Sequence, residues 1–168
     1  MPTLDEINRM TPTAFAGAFG PVYEHSPWIA ERALARAPFA TREALQAALY
    51  GALHASTDDE KLALIRAHPA LAGKEADAGT LTAASAREQA AAGLGALTHE
   101  QKADLAALNA RYADAFGFPF VICARLNRRD AIFGTLRARL HNSRDQEIAN
   151  AIAQIAEIAR LRVGDLLS

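Results

Sequence analysis

An all-α fold is what this sequence predicts, and two observations carry the prediction. Forty of the 168 residues are alanine, whereas only 12 are valine or isoleucine. Alanine is the best helix former and β-branched residues favour strands, so a sheet has little to be built from. The second observation is serial punctuation. A hydroxyl residue followed three positions later by Glu or Gln, and then by an apolar stripe, recurs along the chain. The length suits one domain, residues 1–168, and the expected architecture is a bundle of seven to nine helices with no sheet.

Each element has a local reason. Thr3 with Glu6 is a possible capping box, and Thr11-Pro12 opens a short helix that ends near Gly20-Pro21. Ser26-Pro27 reads as a helix start, because serine caps and proline tolerates the first helical position. Thr41 precedes Leu45, Ala48, Leu49 and Ala52 at helical spacing. Thr57 with Glu60 starts a helix that must stop at His68, because Pro69 pushes the preceding residue out of the helical region. Residues 69–83, with Gly73 and Gly79, read as a long loop. Ser85 with Glu88 reads as the opening of a helix closed by Gly93, and Thr98 with Gln101 opens one running through Phe116. Residues 117–123 are the one strand-like apolar run, too isolated to pair, and read as a buried extended segment. Asn127 begins the next helix. Ser143 with Gln146 begins the last, with Ile148, Ile152, Ile155, Ile158 and Leu161 along one face.

Composition also excludes functions. A net charge of −1 argues against nucleic acid or an anionic membrane as the main partner. Cys123 is the only cysteine, so internal disulfides, cysteine-based zinc sites and iron–sulfur clusters are ruled out. The first ten residues do not have the pattern of a secretory signal, no apolar run approaches the roughly 20 residues of a membrane helix, and the ending GDLLS is not a peroxisomal address, so the cytoplasm is expected. Phosphate-binding glycine loops, His-Glu-x-x-His and Gly-x-Ser-x-Gly are missing, and no metal is expected.

A few residues remain that could carry chemistry. His68 stands where a helix ends before a glycine-containing loop. It is either a proton carrier facing a cleft or a helix-terminal cation favoured by the dipole. Ser85 and Glu88 are either polar site residues or a capping box. Arg160 and Arg162 near the end of the last helix either complement its dipole or offer a guanidinium fork to a carboxylate or imide, and being two apart they cannot share one face. Arg125, Arg128, Arg129, Arg137, Arg139 and Arg144 read as a solvated basic surface, and Cys123 as a buried small residue.

Five segments, in order, resemble one family. They are Glu24-His25-Ser26-Pro27-Trp28-Ile29-Ala30-Glu31, Ala67-His68-Pro69-Ala70-Leu71-Ala72-Gly73-Lys74, Ser85-Ala86-Arg87-Glu88-Gln89 with Ala92-Gly93-Leu94, Phe116 to Ile122, and Glu157 to Val163. From about residue 12 onward the chain is similar to the 2-oxo-4-hydroxy-4-carboxy-5-ureidoimidazoline (OHCU) decarboxylases of urate breakdown. The resemblance implies an all-helical, cofactor-free enzyme, commonly a homodimer, that releases CO2 and forms (S)-allantoin. By matching position it places the catalytic roles on His68, Glu88 and Arg162, and substrate contacts on Pro69, Ser85, Gln89, Phe120 and Ile122. The family usually has aspartate after His-Pro; here that residue is Ala70, which leaves the anchoring of the following loop open. The rival readings are a non-catalytic helical interaction module and a neighbouring ureide hydrolase. The hydrolase would need an activated water, for which the sequence offers no metal cluster.

Overall fold

The capping signals become helix starts almost one for one. In a computed structural model, which describes residues 1–167, Thr3 and Glu6 form a reciprocal capping box at α1 (Leu4–Asn8). Thr11 accepts from the Ala14 N–H at α2 (Pro12–Phe19), with Pro12 in the first turn. Thr41 does the same for α4 (Arg42–His54). Thr57 and Glu60 exchange bonds at α5 (Asp58–Ala67), Thr98 and Gln101 at α8 (His99–Phe116), and Ser143 and Gln146 at α10 (Arg144–Leu166). Each such bond satisfies a backbone N–H that the first helical turn leaves orphaned.

Three starts differ from the sequence reading. Helix α3 (Trp28–Leu34) has no side-chain cap: the Ser26 hydroxyl turns back and donates to the Glu24 carbonyl at 2.9 Å. Helix α7 (Ala83–Ala91) begins three residues earlier than Ser85 would place it, because Thr82 is the cap and accepts from the Ser85 N–H. Helix α9 (Arg129–Arg139) starts after Arg128, while Asn127 donates its side-chain amide to the Cys123 carbonyl at 2.9 Å. The remaining helix, α6 (Lys74–Asp77), is a single turn inside the stretch read as a loop. Among the described residues there are ten α-helices, just above the expected range, three short 3-10 turns and no strand.

The chain divides into two compact units. The first comprises Met1–Ala67 and the chain from Ala156 onward. Its core centres on Phe15, Phe19 and Phe39, with Phe15 and Phe19 ring centroids 4.7 Å apart, beside Ile29, Leu45, Leu49 and Leu53. Asn8 clamps the backbone of Phe39 in both directions, donating at 2.9 Å and accepting at 2.7 Å.

The second unit comprises His68–Ile155. Helix α8 ends on Gly117, whose φ of 79° turns the chain sharply into residues 118–123. That segment belongs to no helix or strand, and Phe118, Phe120, Val121, Ile122 and Cys123 are all buried. Tyr112 packs against Phe116, Phe118 and Phe120, and Leu105, Leu108, Ile132 and Leu136 complete this core.

Helix α10 contributes its first half to the second unit and its last turns to the first. Its buried stripe holds Ala151, Ile152, Ile155, Ile158, Ala159 and Val163; Ile148 and Leu161 are only half-buried. Two charged residues share this stripe, Glu147 near its start and Arg162 near its end. None of the helices is long and apolar enough, among the described residues, to cross a membrane.

Candidate active site

In the second unit, His68 lies immediately beyond the last helical residue of α5, with Pro69 next, and its side chain is buried. The loop that follows runs through Ala72 at φ 47°, a left-handed conformation that a non-glycine residue keeps only when neighbours hold it. The holders are visible. Gln89 Oε1 accepts from the Ala72 N–H at 2.9 Å, and the Asn109 side-chain amide donates to the Leu71 carbonyl at 3.1 Å. A Cβ at Gly73 would come within 2.9 Å of the Ala70 Cβ, so the turn needs glycine there. These contacts answer the question raised by Ala70. The loop is anchored from α7 and α8 rather than by a carboxylate after His-Pro.

Helix α7 carries three of the expected residues. Ser85 and Gln89 are one turn apart on one face and both are buried; Glu88 is half-buried. The capping-box reading of Ser85 and Glu88 is overturned, because Thr82 already performs the cap and Ser85 sits at its third helical position. A hydroxyl buried inside the first turn has to be explained by what it faces, not by helix initiation. Phe120 and Ile122 lie buried in the extended segment.

In the first unit, Arg162 is 6% exposed and Arg160 is on the surface, paired with Glu157 at 2.9 Å. Of the two arginines, Arg162 is the buried one. Its Nη1 donates to the Val22 carbonyl and its Nη2 to Glu24 Oε1, both at 3.1 Å. Glu24, itself 2% exposed, had no sequence-level role. His25 follows it at φ 49° and is exposed, and half-buried Trp28 stacks beneath Arg32 at 4.6 Å.

One basic residue was misplaced by the sequence reading. Arg139 is no surface group: it is 7% exposed and paired at 2.7 Å with Glu147, which is fully buried. Tyr112 also donates to Glu147 Oε1, while Asn142 and Asn150 donate to Oε2 at 2.9 and 2.7 Å. Burial pushes the Glu147 carboxyl up, but these bonds from Asn142, Tyr112, Asn150 and Arg139 outweigh it and hold it below the usual carboxylate range. Burial raises the Tyr112 hydroxyl well above its ordinary value, so it stays a donor. The signal that could have found this network was register. Glu147 falls in line with Ala151, Ile155 and Ile158, on a stripe that should be apolar.

Among the described residues no group of three or more His, Cys, Asp or Glu side chains is placed to hold a metal ion.

The chain belongs to the OHCU decarboxylase family, whose model matches residues 8–164. It is 37% identical to the 2-oxo-4-hydroxy-4-carboxy-5-ureidoimidazoline decarboxylase of Haloferax volcanii, over 99% of this chain and 96% of that protein. It is 38% identical to a putative decarboxylase of the same name from Homo sapiens, over 98% and 95% of the two chains. Among solved structures it superimposes on an (S)-allantoin synthase with a TM-score of 0.81 at 26% identity, covering all of this chain and 54% of that one.

Proposed function

We propose that this chain converts 2-oxo-4-hydroxy-4-carboxy-5-ureidoimidazoline to (S)-allantoin and CO2 in urate catabolism. The observation that carries the reading is the family match over residues 8–164, supported by the burial of His68, Ser85, Gln89 and Arg162, the residues to which the resemblance gives roles. Polar side chains are rarely buried without a task, and Thr82 has removed the capping explanation for Ser85.

The chemistry asks little of a cofactor. The C–C bond to the carboxylate breaks and its electrons pass into the adjacent C=N, leaving an enol; the hydroxyl then gives up its proton to become a carbonyl, and a proton is added to one face of the neighbouring ureido-bearing carbon. The protein has to hold the ring, stabilise the developing charge and direct that proton. In this reading Arg162 binds the carboxylate or a ring oxygen and His68 relays a proton at the substrate hydroxyl. Glu88 orients His68 or the substrate. Ser85 and Gln89 fix the ureido and ring amides, Pro69 shapes the histidine turn, and Phe120 and Ile122 supply an apolar wall. Gln89 commits its carbonyl oxygen to Ala72, so its NH2 is the end offered to the ring. The enzyme acts as a homodimer in the cytoplasm.

The test is to generate the substrate in situ from urate and follow CO2 release together with optical rotation. The reading expects rapid formation of the (S) enantiomer, where the uncatalysed reaction gives a racemate. A racemic product at the uncatalysed rate overturns it.

A further inference from the structure

An extended segment outside any sheet leaves its peptide groups to find other partners. Residues 118–123 are such a segment, and three of its backbone groups are held by side chains. The Val121 carbonyl accepts from Arg139 Nη1 at 2.8 Å. The Cys123 N–H donates to Gln154 Oε1, and the Cys123 carbonyl accepts from Asn127, both at 2.9 Å. Arg139 is the holder placed between Phe120 and Ile122. Its guanidinium carbon also lies 4.5 Å from the centroid of the Phe120 ring, which stands nearly edge-on to Tyr112. One planar group therefore grips an aromatic ring by stacking and the next peptide by a hydrogen bond.

Arg139 is itself fixed. Its Nε meets Glu147 Oε1 at 2.7 Å, and four donors in all occupy the two oxygens of that carboxylate. This is more than a stray charge needs. A buried ion pair is weak evidence for stability, since apolar residues of the same volume often serve as well. What apolar residues would not supply is an immobile fork whose far edge holds Val121 and Phe120.

We propose that Arg139 is a positioning residue for the decarboxylation: it sets the Phe120 ring and the peptide after Val121 so that Phe120 and Ile122 present a fixed apolar wall to the ureidoimidazoline ring. The inference rests on the proposed function, in which those two residues line the substrate. An apolar wall contacts substrate and transition state alike, so loosening it acts on KM. A merely structural arginine would act differently, lowering the amount of active enzyme and leaving KM unchanged.

Two variants test this beside the wild type. Arg139→Lys keeps the charge and loses the fork. Arg139→Met with Glu147→Gln removes both charges yet leaves an acceptor for Tyr112, and it decides the matter should the lysine variant fail to fold. After far-ultraviolet circular dichroism and thermal unfolding have established helical protein, initial rates of (S)-allantoin formation give KM and kcat. The expected result is a KM raised about tenfold in both, with kcat within about threefold, and no rescue by lysine. A wild-type KM in either folded variant overturns the proposal, whatever happens to kcat. Failure of the wild type to form (S)-allantoin would instead sink the functional reading, so the two failures are separable.

Discussion

Helix α10 buries one acidic and one basic residue, and the two are used differently. Glu147 stands in its first turn and Arg162 four residues from its end, so each has the sign that the nearby helix dipole favours. Glu147 is completed by neighbours close in sequence, Arg139, Asn142 and Asn150, with Tyr112 from α8. Arg162 reaches 138 positions back to Glu24 and also takes the Val22 carbonyl. The first pair binds helix ends and an extended segment into one rigid piece. The second braces a guanidinium against the turn that holds Val22 and Glu24. Burial of a charge thus has two forms in one helix: Glu147 is closed off by neighbours near in sequence, while Arg162 is held by a turn from the far end of the chain, and under the proposed function it is the second that meets substrate.

The largest effect that separates these two forms is on stability. Arg139→Met leaves Glu147 buried without its cation, which should cost about 3–5 kcal/mol in chemical denaturation; adding Glu147→Gln should recover most of it. If the single variant unfolds like the wild type, the network is not the constraint described here. Next comes catalysis. Arg162→Lys and His68→Ala should each lower (S)-allantoin turnover about a hundredfold, roughly 3 kcal/mol in barrier, with the helical spectrum kept. Near-normal turnover in either would move that residue out of the site.

Acid should act on the Glu147 network next. The folded Glu147 carboxyl lies below its usual value of 4.5, so its stabilisation is complete above that pH and is lost as pH falls towards the folded value. Wild-type unfolding midpoints should therefore drop faster than those of Glu147→Gln on going below about pH 4.5. Glu60, held at about 2 by Arg32 and Thr57, titrates identically in both proteins and cancels from the comparison. Parallel acid profiles would mean that the bonds around Glu147 do not favour its anion.

Much of the fold was legible because the relevant physics is local. A hydroxyl residue at Thr41, Thr57 or Thr98 meets an N–H three residues on whatever the rest of the chain does. Legibility failed where a side chain had a distant alternative. Ser26 chose the Glu24 carbonyl over its own helix, and Asn127 chose Cys123. Arg139 was read as surface because arginine usually is, and the carboxylate that buries it lies eight residues away. The candidate site was legible only through motif order. His68, Ser85, Gln89 and Arg162 have no local signal that marks them as buried, and Glu24 became visible only through its partner.

The smallest expected effect concerns α7, where two hydroxyls three residues apart compete for one explanation. If Thr82 is the cap, Thr82→Ala should destabilise the protein by about 1 kcal/mol, while Glu88→Gln should leave the unfolding midpoint unchanged. The sequence reading of a Ser85–Glu88 box makes a different demand, that Ser85→Ala carry the capping loss. Activity then completes the comparison. Thr82→Ala should retain near-normal kcat under conditions where it is folded, because the Thr82 hydroxyl accepts a backbone N–H. Glu88→Gln keeps the shape and removes only the charge and the proton-accepting capacity, so it should depress turnover without touching stability. A silent Glu88→Gln, in both stability and (S)-allantoin formation, would leave Glu88 a solvated helix residue and pass its share of the chemistry to His68 and Arg162.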